Sequence, residues 1–110
     1  MTYTPDKGDI VWLDFDPSSG NEIMKRRPAF VISRKAFNDH TGMAVVAPIT
    51  STIRNTRLEV ILPDNLKTNG SILVYQLKSL DIVQRQVKFI EQAPRETTKQ
   101  ATTLASIIIQ

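Results

Sequence analysis

The chain has no cysteine. That excludes disulfide cross-links and thiolate metal sites, and it fits a reducing compartment, so a cytoplasmic location is expected. Histidine is nearly absent too: His40 stands alone, and a zinc site would need carboxylates for most of its ligands. No cofactor or metal is expected. No apolar run approaches the ~20 residues a membrane helix needs, and the N-terminus lacks the charged and apolar regions of a signal peptide. No membrane partner is expected. Repeats, low-complexity tracts and linkers are also missing, so residues 1–110 read as one domain.

Acid is scarce in one place. Residues 1–22 hold five acids and one base, a net of −4, so residues 23–110 carry +7 of the overall +3. Between Ile23 and Asn38 stand Lys25, Arg26, Arg27, Arg34 and Lys35, with no acid among them. Arg54 and Arg57 add two cations in a later loop. A basic patch on a less basic body points to a polyanion or an acidic protein partner, or to a merely solvated face.

What is present is organised around residues 8–28. Ile10, Val11, Trp12, Leu13 and Phe15 form an apolar run of strand formers. Asp16-Pro17 breaks it, because proline removes a ladder donor and restricts its predecessor. A polar loop containing Gly20 and Glu22 then delivers Lys25, Arg26 and Arg27 to Pro28 and the next apolar run. The alternative is an ordinary solvated hairpin loop. Asp14 and Asp16 are read as fixing the strand end and turn, and Trp12 as core or interface rather than a platform for a base.

Further strands are expected at Ala29–Ser33, Met43–Ala47 (ended by Pro48), Leu58–Leu62, Ser71–Leu80 and Val87–Glu91. Arg34–Gly42 reads as a polar connection with one helical turn, Ile49–Arg57 as a hydroxyl-rich basic loop, and residues 63–70 as dense turn chemistry. From Pro94, taken as the first helical position, Thr97, Ala101, Leu104 and Ile108 recur at helical spacing. The fold class is therefore mainly β with a C-terminal helix, a small curved sheet or barrel.

Three segments together resemble the MazF/PemK family of toxin–antitoxin ribonucleases. They are Gly8-Asp9, Trp12, Asp14-Phe15-Asp16-Pro17, Gly20, Glu22 and Arg27-Pro28; then Thr41-Gly42-Met43 with Ala47-Pro48-Ile49-Thr50-Ser51; then Gln76-Leu77-Lys78-Ser79-Leu80-Asp81. The resemblance implies an SH3-like barrel with a C-terminal helix, paired as a homodimer. It implies metal-independent, sequence-specific cleavage of single-stranded RNA, restrained by an acidic antitoxin. Arg27 and Thr50 match the family's catalytic pair, and Glu22 its loop carboxylate. Asn21, Lys25, Arg26, Ser51, Arg54, Arg57, Tyr75 and Gln76 are the expected RNA-binding residues.

Departures limit the transfer. One branch, resembling the Kid toxin, has an arginine and an aspartate where this chain has Leu73 and Tyr75, and a histidine where it has Asn21. Tyr75 can instead stack on a base. His40 matches no motif of the family. Two other functions stay in view: a gyrase-poisoning toxin of the same fold, which would need a tryptophan near a C-terminus that here reads Ile107-Ile108-Ile109-Gln110, and an RNA-binding module without catalysis.

Overall fold

The opening apolar run is continuous rather than alternating because β1 (Asp9–Asp14) packs against a core on each of its faces, with Trp12 alone left exposed. Ile10 points into one core with Phe30, Ala47, Ile49, Ile72 and Val74, and Val11 and Leu13 into a second with Ala29, Val31, Val46 and Leu80. The same alternation carries through β2 (Arg26–Val31) and β3 (Met43–Thr50), which pair antiparallel with Ala29 opposite Pro48 and Val31 opposite Val46. These coordinates are a computed structural model that describes residues 3–16, 25–54 and 56–110.

Around those three strands stand α1 (Lys35–Thr41), β4 (Glu59–Ile61), β5 (Ser71–Leu73), β6 (Lys78–Asp81), β7 (Lys88–Gln92) and α2 (Arg95–Ile109). The sheet order is β4-β5-β3-β2-β1-β7, with β6 also paired to β3. Among the described residues no pairing joins β4 to β7, so the curved sheet is not a closed barrel. The helix α2 closes the first core with Ala101 and Ala105. No helix among the described residues is long and apolar enough to cross a membrane.

Several boundaries differ from the sequence reading. Strand β3 runs through Pro48 to Thr50, so Ile49 and Thr50 lie in a strand and not in the basic loop. Proline is tolerated because β3 changes partners there: β6 pairs with Met43–Val46 and β5 with Ile49 and Thr50, leaving Ala47 and Pro48 unpaired on that side. The expected single strand over Ser71–Leu80 breaks for the same reason. Its middle, Val74–Gln76, becomes a 3-10 turn that carries the chain from β5 to β6 across the gap.

The polar connection after β2 forms the full helix α1, closed at Gly42, whose φ of +71° lets its N–H reach the carbonyl of Asn38. Pro94 is the residue before α2 and not its first position, and Ile108 is 38% exposed where the periodicity had it inward. The buried face is Thr97, Ala101 and Ala105. Trp12 is 40% exposed and so is not part of the core.

Candidate active site

Two ladders converge on the cations that end the loop. In the first, Asp14 of β1 faces Arg26, Leu13 faces Arg27 and Trp12 faces Pro28. In the second, Ala29 faces Pro48. Arg27 stands two residues before Ala29 in β2, and Thr50 two residues after Pro48 in β3, past the last paired residues of this ladder. Arg27 is half-buried, and Thr50 is buried. The Thr50 Oγ1 accepts a hydrogen bond from the Thr52 N–H at 3.2 Å. That uses a lone pair and leaves the hydroxyl hydrogen as a donor.

Thr50 is held from behind by Gly70. A Cβ added to Gly70, whose φ is +115°, would sit 1.9 Å from the Thr50 carbonyl oxygen. Only glycine permits β3 and the 63–70 turn to approach this closely.

The cations are placed by the carboxylates expected to fix the strand end. Asp14 Oδ1 accepts from the Asp16 N–H at 3.0 Å, and Asp16 Oδ1 from the Lys25 N–H at 2.7 Å. Lys25 itself has a φ of +72°, and its carbonyl takes the Phe15 N–H. The Arg26 guanidinium donates to the carbonyls of Arg85 at 3.4 Å and Gln86 at 2.7 Å. Arg85 returns the tie, donating to the Asp16 carbonyl at 2.6 Å. So Lys25 is clamped through its backbone to residues 15 and 16, and Arg26 through its guanidinium to the β6–β7 turn. Asn21 and Glu22, the other expected loop residues, lie outside the described residues.

Arg26, Arg27 and Ser51 share a cleft of about 450 Å³ with Trp12, Lys67 and Asn69. Lys67 and Asn69 escaped the sequence reading: residues 63–70 were legible as a turn, but nothing local shows that the turn folds over β2 and β3. Glu91 of β7 holds it there. Its carboxylate accepts from the Lys67 N–H at 3.1 Å, the Thr68 N–H at 2.8 Å and the Thr68 Oγ1 at 2.7 Å. Burial pushes this carboxyl up, but those hydrogen bonds and the Lys67 charge outweigh it and keep it below its ordinary value.

The remaining candidates are not in this cleft. Tyr75 and Gln76 line a separate hollow of about 200 Å³ with Lys78. Arg54 and Arg57 are exposed; the Arg54 N–H is anchored to the buried Glu59 Oε1 at 3.0 Å, while Arg57 borders a groove of about 600 Å³ beside α2. His40 is exposed in the last turn of α1. Among the described residues no three His, Asp or Glu side chains gather as a metal site would require.

Residues 6–109 match the family model described as PemK-like, MazF-like toxin of type II toxin-antitoxin system. The chain is 40% identical over 78 residues to the endoribonuclease toxin MazF of Escherichia coli K12, covering 71% of this chain and 69% of that protein. It is 36% identical over 110 residues to the endoribonuclease toxin ChpB of the same organism, covering 96% and 94%. Among solved structures, MazF from Deinococcus radiodurans superposes with a TM-score of 0.94 at 34% identity, covering 98% of each chain. A MazE–MazF structure from that organism gives 0.87 at 34% identity, covering 98% and 97%. With the family model, the relatives and the fold in agreement, this chain belongs to the PemK-like, MazF-like family of toxins of type II toxin–antitoxin systems.

Proposed function

We propose that the protein is an endoribonuclease toxin that cuts single-stranded RNA without a metal ion. The observation that carries this reading is the basic cleft lined by Arg26, Arg27 and Ser51, the residue that follows Thr50. The reaction joins the ribose 2′-oxygen to phosphorus and breaks the bond from phosphorus to the 5′-oxygen. One proton leaves the 2′-hydroxyl and another reaches the departing 5′-oxygen, so the products are a 2′,3′-cyclic phosphate and a 5′-hydroxyl.

Arg27 presents a planar fork of donors to the non-bridging oxygens, where charge builds as the phosphorane forms. Thr50 donates its hydroxyl hydrogen to the same phosphate. Glu22 is the candidate base on chemical grounds, with Arg27 or a water as the other proton carriers. The nucleophile comes from the substrate and already lies beside the phosphate, so no ion is needed to activate water.

An acidic antitoxin segment is the natural restraint, since it would compete for the same cations. The protein acts as a homodimer: Ile107 and Ile109 are 59% and 72% exposed at the end of α2, more apolar surface than a lone chain usually leaves together. The relatives named above are endoribonucleases by name, so the gyrase-poisoning alternative gains nothing from them.

The test is to incubate the protein with a long RNA and map the cut ends, with and without excess EDTA. Discrete cuts ending in cyclic phosphate and surviving EDTA are expected. A substrate with 2′-deoxyribose just 5′ of the scissile phosphate should bind and resist cutting. Loss of cutting in EDTA that magnesium restores, or normal cutting of the deoxy substrate, overturns the mechanism.

A further inference from the structure

Trp12 lies in the middle of β1, between Val11 and Leu13, which are fully buried, yet it is itself 40% exposed. Its cross-strand neighbours are Pro28 of β2 and Lys88 of β7, and the indole stays partly open between them. Trp12 lines the cleft that Arg27 borders, and the turn residues Lys67 and Asn69 line it too. That turn is at the surface, but three hydrogen bonds from its own donors to Glu91 hold it in place. The cleft therefore combines three cations and one amide with a partly open aromatic side chain.

The groups match one nucleotide. A base stacks on an aromatic face without regard to its sequence, a phosphate meets an ammonium, and an amide with a nearby hydroxyl can pair with a base edge. The cleft, about 450 Å³, lies within the ~300–1,000 Å³ typical of small-ligand sites. We infer that Trp12, Lys67 and Asn69 form a subsite for one nucleotide of the bound RNA, with its base stacked on Trp12 and its phosphate at Lys67. Glu91 is a positioning residue for this subsite. The inference rests on the RNA-cleavage reading and deepens it. A peptide of Asp and Glu would use Arg26, Arg27 and Lys67 but has no ring to place on Trp12.

Trp12 is the single tryptophan of the chain, so its fluorescence reports on this cleft alone. The full-length chain carrying Arg27→Ala is titrated with a single-stranded oligoribonucleotide, and separately with a peptide rich in Asp and Glu. Saturable quenching by the RNA is expected, with Lys67→Ala shifting the midpoint to higher concentration. By anisotropy of a labelled oligonucleotide, Trp12→Ala should weaken binding about five- to a hundredfold and Trp12→Phe much less. The Phe variant keeps the aromatic plane, and a melting curve for both variants separates lost stacking from lost fold.

With Arg27 intact, Trp12→Ala and Glu91→Gln should raise KM several-fold and change kcat little, with the same cyclic-phosphate ends. Unchanged RNA affinity in a folded Trp12→Ala chain overturns the subsite while leaving the nuclease reading untouched. Quenching by the acidic peptide but not by RNA also overturns it and makes the cleft a peptide site. If the parent protein cuts no RNA at all, the nuclease reading fails, and the oligonucleotide titration still decides the subsite.

Discussion

Two basic clusters of this chain look alike on paper and are built differently. Lys25, Arg26 and Arg27 enter a strand: Lys25 is clamped through its backbone by Asp16, Arg26 through its guanidinium to two carbonyls, and Arg27 lies half-buried in the ladder. Arg54 and Arg57 ride an exposed loop whose described anchors are the Arg54 N–H on Glu59 and the Leu58 N–H on the Thr56 hydroxyl at 3.2 Å. Charge that is held in place can stabilise a transition state, because it need not reorganise as the reaction proceeds. Charge on a loop mostly raises the local concentration of a polyanion. The difference is one of immobilisation, since the residue types are the same.

The comparison breaks most sharply at Arg27. Arg27→Ala should lower the cleavage rate by about a hundred- to a thousandfold or more while the circular dichroism and melting temperature stay near the parent's. Arg27→Lys should recover little, because an ammonium cannot form the bidentate fork. A rate assay on a single RNA site checks both; near-normal cutting by the alanine variant removes Arg27 from the chemistry.

Next in size is the support behind Thr50. Gly70→Ala places a Cβ against the Thr50 carbonyl in a backbone conformation that favours glycine. It should cost about 3 kcal/mol of stability or more, read from denaturant unfolding, and activity should fall with it as β3 is pushed out of register. A stable, active Gly70→Ala chain would mean that the turn can retreat without disturbing the site.

Arg54→Ala with Arg57→Ala sharpens the other half of the contrast. Turnover at saturating RNA should hardly change, while affinity drops at low salt and the slope of log affinity against log salt flattens by about 0.7 for each lost phosphate contact. A large fall in kcat instead would place this loop in the catalytic step.

The smallest effect concerns Glu91. Its carboxyl is held below its ordinary value, so its contribution to stability is present above the unfolded-state pKa of about 4.3 and is lost as pH falls through the lower folded value. Glu91→Gln should therefore melt about one to three degrees lower than the parent at neutral pH, and the gap should close in acid. A gap that persists unchanged well below pH 4 would show that the charge of Glu91 is not what holds the turn.

The local code of this chain determined a good deal. Apolar runs bounded by Asp16-Pro17 and by the turn chemistry of residues 63–70 marked most strands, the spacing of Thr97 and Ala101 marked the last helix, and the order of the motifs pointed to the family. These signals are legible because they act within a few residues, where propensity and periodicity operate. The placement of Thr50 in a strand, the break at Val74–Gln76 and the exposure of Trp12 were decided by tertiary structure. Pro48 is allowed in mid-strand only because β3 changes partners beside it, and the strand break follows from the same exchange. The rim of Lys67 and Asn69 exists because Glu91, more than twenty residues away, accepts its donors. No window of sequence contains both sides of such a contact, so only the folded chain could bring them together.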